Sequence, residues 1–135
     1  MTMYDKKIQT PAEPTGKLLR AGMVLAGLCG AAGVVSLALS AHADASPTLK
    51  TAAQMLLFHA PLFLGLAVLS QIRRVLLLPL VMVFLTVGLG LFCGDLFMRA
   101  FAGSRLFAMS APIGGMLVIL SWLTLAIGAL RVRPK

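Results

Sequence analysis

The side chains able to do chemistry are few: His42, His59, Cys29, Cys93 and the pair Asp95 and Arg99. Only four residues are Asp or Glu, and Asp95 alone borders a long apolar run. An ionisable group beside hydrocarbon is costly to keep, so it marks a site by default. Asp95 and Arg99 stand four apart, which puts both on one face of a helix, while histidine is the side chain that exchanges protons near neutral pH. The expectation is a polar cluster of His42, His59, Asp95 and Arg99 in the outer half of a membrane, with Asp95 paired to Arg99 or to a histidine. The bland alternative is a structural network in which Arg99 snorkels, His42 and Asp95 are solvated, and His59 bonds the Leu57 carbonyl freed by Pro61. Metal chemistry has no support in the spacing: there is no C-x-x-C or H-x-x-x-H, and the eight methionines are scattered. The cysteines read as packing residues whose depths differ by roughly 15 Å, too far apart for a disulfide. No cofactor, metal or catalytic residue is expected.

The elements holding these residues follow from the distribution of charge. Of 135 residues, 59% are hydrophobic and 12% charged, against about 25% charged in ordinary soluble domains. Four stretches contain no Asp, Glu, Lys or Arg: Ala21 to Ala41, Thr51 to Ile72, Val75 to Gly94, and Leu106 to Leu130. Each has the roughly 20 residues a helix needs to cross about 30 Å of hydrocarbon, and none alternates as a membrane strand would. The predicted fold is an all-α membrane protein of four transmembrane helices, about 19–41, 52–72, 75–98 and 107–130. The short links favour an up-down-up-down bundle. Residues 1–16 read as a flexible cytosolic tail and 17–135 as the membrane domain.

With the N-terminus inside, Lys6, Lys7, Lys17, Arg20, Arg73, Arg74, Arg131, Arg133 and Lys135 collect on the inner side, leaving Lys50, Arg99 and Arg105 outside. Such a bias places both termini in the cytoplasm. It also accounts for the net charge of +8 by topology and by attraction to anionic lipid rather than by nucleic-acid binding. Ala41-His42-Ala43 imitates a signal-peptide cleavage site, but the apolar run before it is longer than a signal core, so the first helix is expected to stay uncleaved. Small residues recur at helical spacing: Gly22, Ala26 and Gly30, then Gly27 and Ala31, and Gly90 with Gly94. These read as faces on which another backbone approaches closely. Trp122 reads as a packing anchor whose indole N–H needs a partner.

Several motifs resemble a known family. Leu91-Phe92-Cys93-Gly94-Asp95-Leu96-Phe97, Ala111-Pro112-Ile113-Gly114-Gly115 and Leu120-Ser121-Trp122-Leu123 resemble the DUF423 family of small membrane proteins, which includes eukaryotic transmembrane protein 256 and many bacterial inner-membrane proteins. Ala38-Leu39-Ser40-Ala41-His42 and Phe58-His59 resemble two further family motifs. Ala38, Ser40 and Ser121 depart from motif glycines, Leu56 stands where bacterial relatives commonly have Gln, and Asp95 replaces a small hydroxyl residue. The resemblance implies a compact four-helix inner-membrane protein and no reaction. Pro112, Gly114 and Gly115 then sit at the start of the fourth helix, where the backbone can approach a neighbour closely.

The expected function is that of a non-enzymatic packing or accessory component of the inner membrane, with the lipid bilayer, a second copy or another membrane protein as partner. The competing expectation is a small transporter or channel subunit with its polar site in the outer half of the bundle.

Overall fold

The computed structural model describes residues 14–42 and 46–135. The tail expected at 1–16 and the first loop around 43–45 therefore lie almost entirely outside the described residues. Four helices follow: α1 (Lys17–His42), α2 (Pro47–Ile72), α3 (Leu78–Ala102) and α4 (Ser110–Ala129). All four are long and apolar enough to cross a membrane.

Helix boundaries differ from the charge-free stretches for local reasons. α2 begins at Pro47, five residues before the expected start, because Pro is well suited to the first turn and neither Thr48 nor Lys50 breaks a helix. α3 begins at Leu78 rather than 75, and runs past Arg99 to a left-handed Gly103 with φ 66°, the conformation that glycine supplies most readily at a helix end. α4 starts three residues late, at Ser110, behind Met109, which is also left-handed at φ 69°. Pro61 lies within α2, and the helix continues through it.

α1 packs on α2, and α3 on α4, while α2 against α3 joins the two hairpins. α3 is the central element. Its inward residues Leu78, Val81, Met82, Leu85, Leu89, Cys93 and Leu96 recur at helical spacing and meet Leu56, Phe63 and Leu66 of α2 and Val118 of α4. Large side chains such as Val24, Leu28, Val34, Val35, Ile119 and Leu123 point outward, an apolar surface that lipid covers without cost.

Within the hairpins the helices meet through glycine. A Cβ on Gly22 would lie 2.6 Å from the Ala67 Cβ, and one on Gly33 would lie 2.7 Å from Leu57 Cγ. On the other hairpin, a Cβ on Gly114 would lie 2.5 Å from the Phe92 nitrogen, and one on Gly88 would lie 2.8 Å from the Val118 nitrogen. The expected stripe is thus corrected in part. Gly90 faces open space, and Gly88, two residues away, makes the close approach. Gly30 only meets the Ala60 Cβ at 3.9 Å, Gly94 meets Leu106 at 3.7 Å, and Gly115 meets the Phe92 ring at 3.7 Å. Ala26 is half-buried against the core.

A two-residue ladder closes one end of the molecule. β1 (Arg73–Arg74) pairs antiparallel with β2 (Arg133–Pro134), in the register Arg73 to Pro134 and Arg74 to Arg133. Gln71 staples the same end, accepting from the Gly16 N–H at 3.3 Å and donating from Nε2 to the Pro14 carbonyl at 3.3 Å. Lys135 Nζ donates to the Gln71 carbonyl at 3.0 Å. The start of α1, the α2–α3 link and the segment after α4 therefore gather together, leaving the α3–α4 link at the opposite end.

Candidate functional site

Asp95 lies in the last third of α3 with its side chain wholly buried. Its Oδ1 accepts from the Leu106 backbone N–H at 2.9 Å and from the Ser110 hydroxyl at 2.5 Å. That hydroxyl has one hydrogen, and the Phe107 carbonyl at 2.9 Å is its alternative acceptor. Oδ2 faces Arg99 Nη2 at 2.5 Å. The approach is an ion pair by distance but lies off the line of a good hydrogen bond, and Arg99 Nε is buried without a partner. One carboxylate thus ties α3 to the link and to the first residue of α4. It also holds the turn in which Met109 adopts a conformation costing a residue with a Cβ about 1–2 kcal/mol.

His59 belongs to a separate pair. Its ring is buried, with Nδ1 2.7 Å from the Met55 carbonyl and Nε2 3.3 Å from Trp122 Nε1. The carbonyl can only accept and the indole can only donate, so His59 carries its proton on Nδ1 and is the neutral tautomer. The rings meet edge to face with centroids 6.1 Å apart. Trp122 finds the partner its N–H needed, although the ring is 48% exposed on the outer surface. His59 does not bond the Leu57 carbonyl: it takes the carbonyl one helical turn back, which its own side chain reaches.

The cluster expected of His42, His59, Asp95 and Arg99 is therefore divided. Asp95 and Arg99 are paired; His59 bonds across to α4; His42, at the end of α1, is exposed. Residue spacing sets depth but not bearing around each helix, and the bearings differ. Ser110 is the member of the Asp95 network that sequence reading missed, because it lies fifteen residues further on and an isolated serine carries no signal.

Cys29 and Cys93 are both free, and both line one open apolar groove of about 360 Å³ between α1 and α3. No group of three His, Cys, Asp or Glu side chains able to hold a metal occurs among the described residues.

Residues 29–115 match the family model described as "Protein of unknown function (DUF423)". The chain belongs to this family. Similar relatives are the UPF0382 inner membrane protein YgdD of Escherichia coli K12, of Escherichia coli O157:H7 and of Shigella flexneri. Each is 34% identical over 87 residues, which cover 64% of this chain and 66% of the relative, just under two thirds of its length. No solved structure matches. The DUF423 match contains Asp95, Arg99, Leu106, Ser110 and Gly114, so the whole carboxylate clamp and the close approach of Gly114 to Phe92 fall within it. Trp122 lies beyond it.

Proposed function

We propose that this chain is a non-enzymatic accessory component of the inner membrane, an up-down-up-down four-helix protein with both termini in the cytoplasm, that works by packing against other membrane helices. One observation carries this reading: the buried polar side chains on which a reaction or a conducted proton would depend are occupied by the fold. Asp95 is held by Leu106, Ser110 and Arg99, and His59 by Met55 and Trp122. Association with a second copy is supported on α1, where Gly27 has nothing within 4 Å of a Cβ and Ala31, one turn on, is exposed. The same small patch on two copies is self-complementary. The inner-membrane assignment follows the E. coli relative, an inner membrane protein by name, and the orientation follows the basic residues at the end where α1 begins and the segment after α4 lies.

Two measurements test the reading. Proteoliposomes of the wild type should carry no proton or solute flux that Asp95→Asn alters, and the variant should instead lower the melting temperature. Flux that depends on Asp95 would replace this reading with the transporter. Energy transfer between labelled copies in liposomes should fall in Gly27→Leu and persist in Gly65→Leu, a glycine of α2 that also faces open space. Equal transfer in both would remove α1 as the association face.

A further inference from the structure

Beyond the clamp and the packing faces, the end closed by the β1–β2 ladder holds an arrangement that neither uses. Arg74, Arg131 and Arg133, with Leu76, line a single cleft of about 270 Å³. The arginines come from two links far apart in sequence and are brought together by backbone. Arg74 and Arg133 are directly paired in the ladder, and the Arg131 N–H donates to the Gly128 carbonyl at 3.1 Å, closing the turn after α4. Three guanidinium groups lining one cleft give it a positive potential suited to an anion.

We propose that this cleft binds the phosphate of an anionic phospholipid headgroup. Guanidinium forks match phosphate oxygens in a planar, two-point manner that a lysine ammonium does not. At about 270 Å³ the cleft has room for a phosphodiester. The surroundings select a lipid over a soluble phosphate: Ile72, Leu76, Leu130 and Val132 beside the arginines are all exposed, Leu130 to 84%. Such side chains belong in the acyl region, which puts the arginines at headgroup level, where basic pockets at helix ends recognise anionic lipids. The proposal does not depend on whether the chain self-associates or transports.

The test is native mass spectrometry of the full chain in a neutral detergent, with phosphatidylglycerol and phosphatidylcholine supplied together. The expected result is a phosphatidylglycerol adduct on the wild type in preference to phosphatidylcholine. Arg131→Gln/Arg133→Gln should weaken that adduct by about thirtyfold or more, because the charge-assisted guanidinium–phosphate bonds of the cleft are lost. Lys17→Gln/Arg20→Gln removes the same charge from the same end outside the cleft and should leave the preference within about threefold of wild type. A further pair, Arg131→Lys/Arg133→Lys, preserves charge and should still weaken the adduct because the fork is lost. The proposal is overturned if the two glutamine variants lose binding equally, since charge alone then explains it, or if neither lipid is preferred. Displacement of the lipid by an equal concentration of inorganic phosphate would assign the cleft to a soluble anion and overturn the lipid commitment.

Discussion

The two ends of this protein handle charge in opposite ways. At the α3–α4 link a single buried carboxylate is surrounded by donors, and its oxygens hold the chain in place. At the ladder end the fold is closed by backbone bonds, by the uncharged Gln71 and by the Lys135 ammonium on the Gln71 carbonyl, with Arg74, Arg131 and Arg133 around a cleft. A charge far from water must be matched by the fold itself, because leaving it alone costs several kcal/mol. A charge at headgroup level is tolerated without a protein partner and stays available to a ligand. Position relative to the bilayer, more than residue type, decides which charges are structural.

Substitutions can break this contrast, in descending order of effect. Asp95→Ala should be the most damaging, costing about 3–5 kcal/mol, because it strands the Arg99 guanidinium and the Leu106 N–H, while the Ser110 hydroxyl can turn to the Phe107 carbonyl. Unfolding by sodium dodecyl sulfate titration measures it, and a cost as small as that of a surface change would make the clamp incidental. Next comes Gly114→Ala, just beneath the clamp, where the new methyl would overlap Phe92 and the Gly88 carbonyl. A loss of about 1–3 kcal/mol is expected, while Gly90→Ala, facing open space, should be neutral or slightly stabilising in the same titration. Met109→Gly should raise stability by about 1 kcal/mol by relieving the left-handed backbone. No gain in its thermal melt would mean that the Met109 side chain contributes packing that offsets the strain. Gln71→Ala should have the smallest cost of the residues that bind the fold, about 0.5–1 kcal/mol, since the ladder persists without it. A loss matching that of Asp95→Ala would erase the contrast between the ends.

Much of the helical frame was legible in the charge-free stretches, since lipid demands some twenty apolar residues per crossing. Helix ends were less so. Lys50 and Arg99 interrupt a hydropathy pattern but not a helix, and α2 and α3 run through them. The Asp95–Arg99 pair could be read because its spacing is local. Ser110 could not, since only the fold of the link brings it back to α3. Likewise Gly88 and Gly90 look alike in sequence, and the bearing of α3 toward α4 alone tells them apart. The ladder had no sequence signature: two arginines beside an Arg-Pro pair do not announce a strand.

The pairing of α1 with α2 and of α3 with α4 bears on how such a chain enters the bilayer. Asp95, Arg99, Leu106 and Ser110 all belong to the second hairpin, so that hairpin brings with it the partners its buried charge requires and can be inserted as a neutralised unit. The bond from Trp122 to His59 is different, for it joins α4 to α2 and forms only after the two hairpins meet. The single tryptophan of the chain is thus placed to report by its fluorescence the final step of assembly.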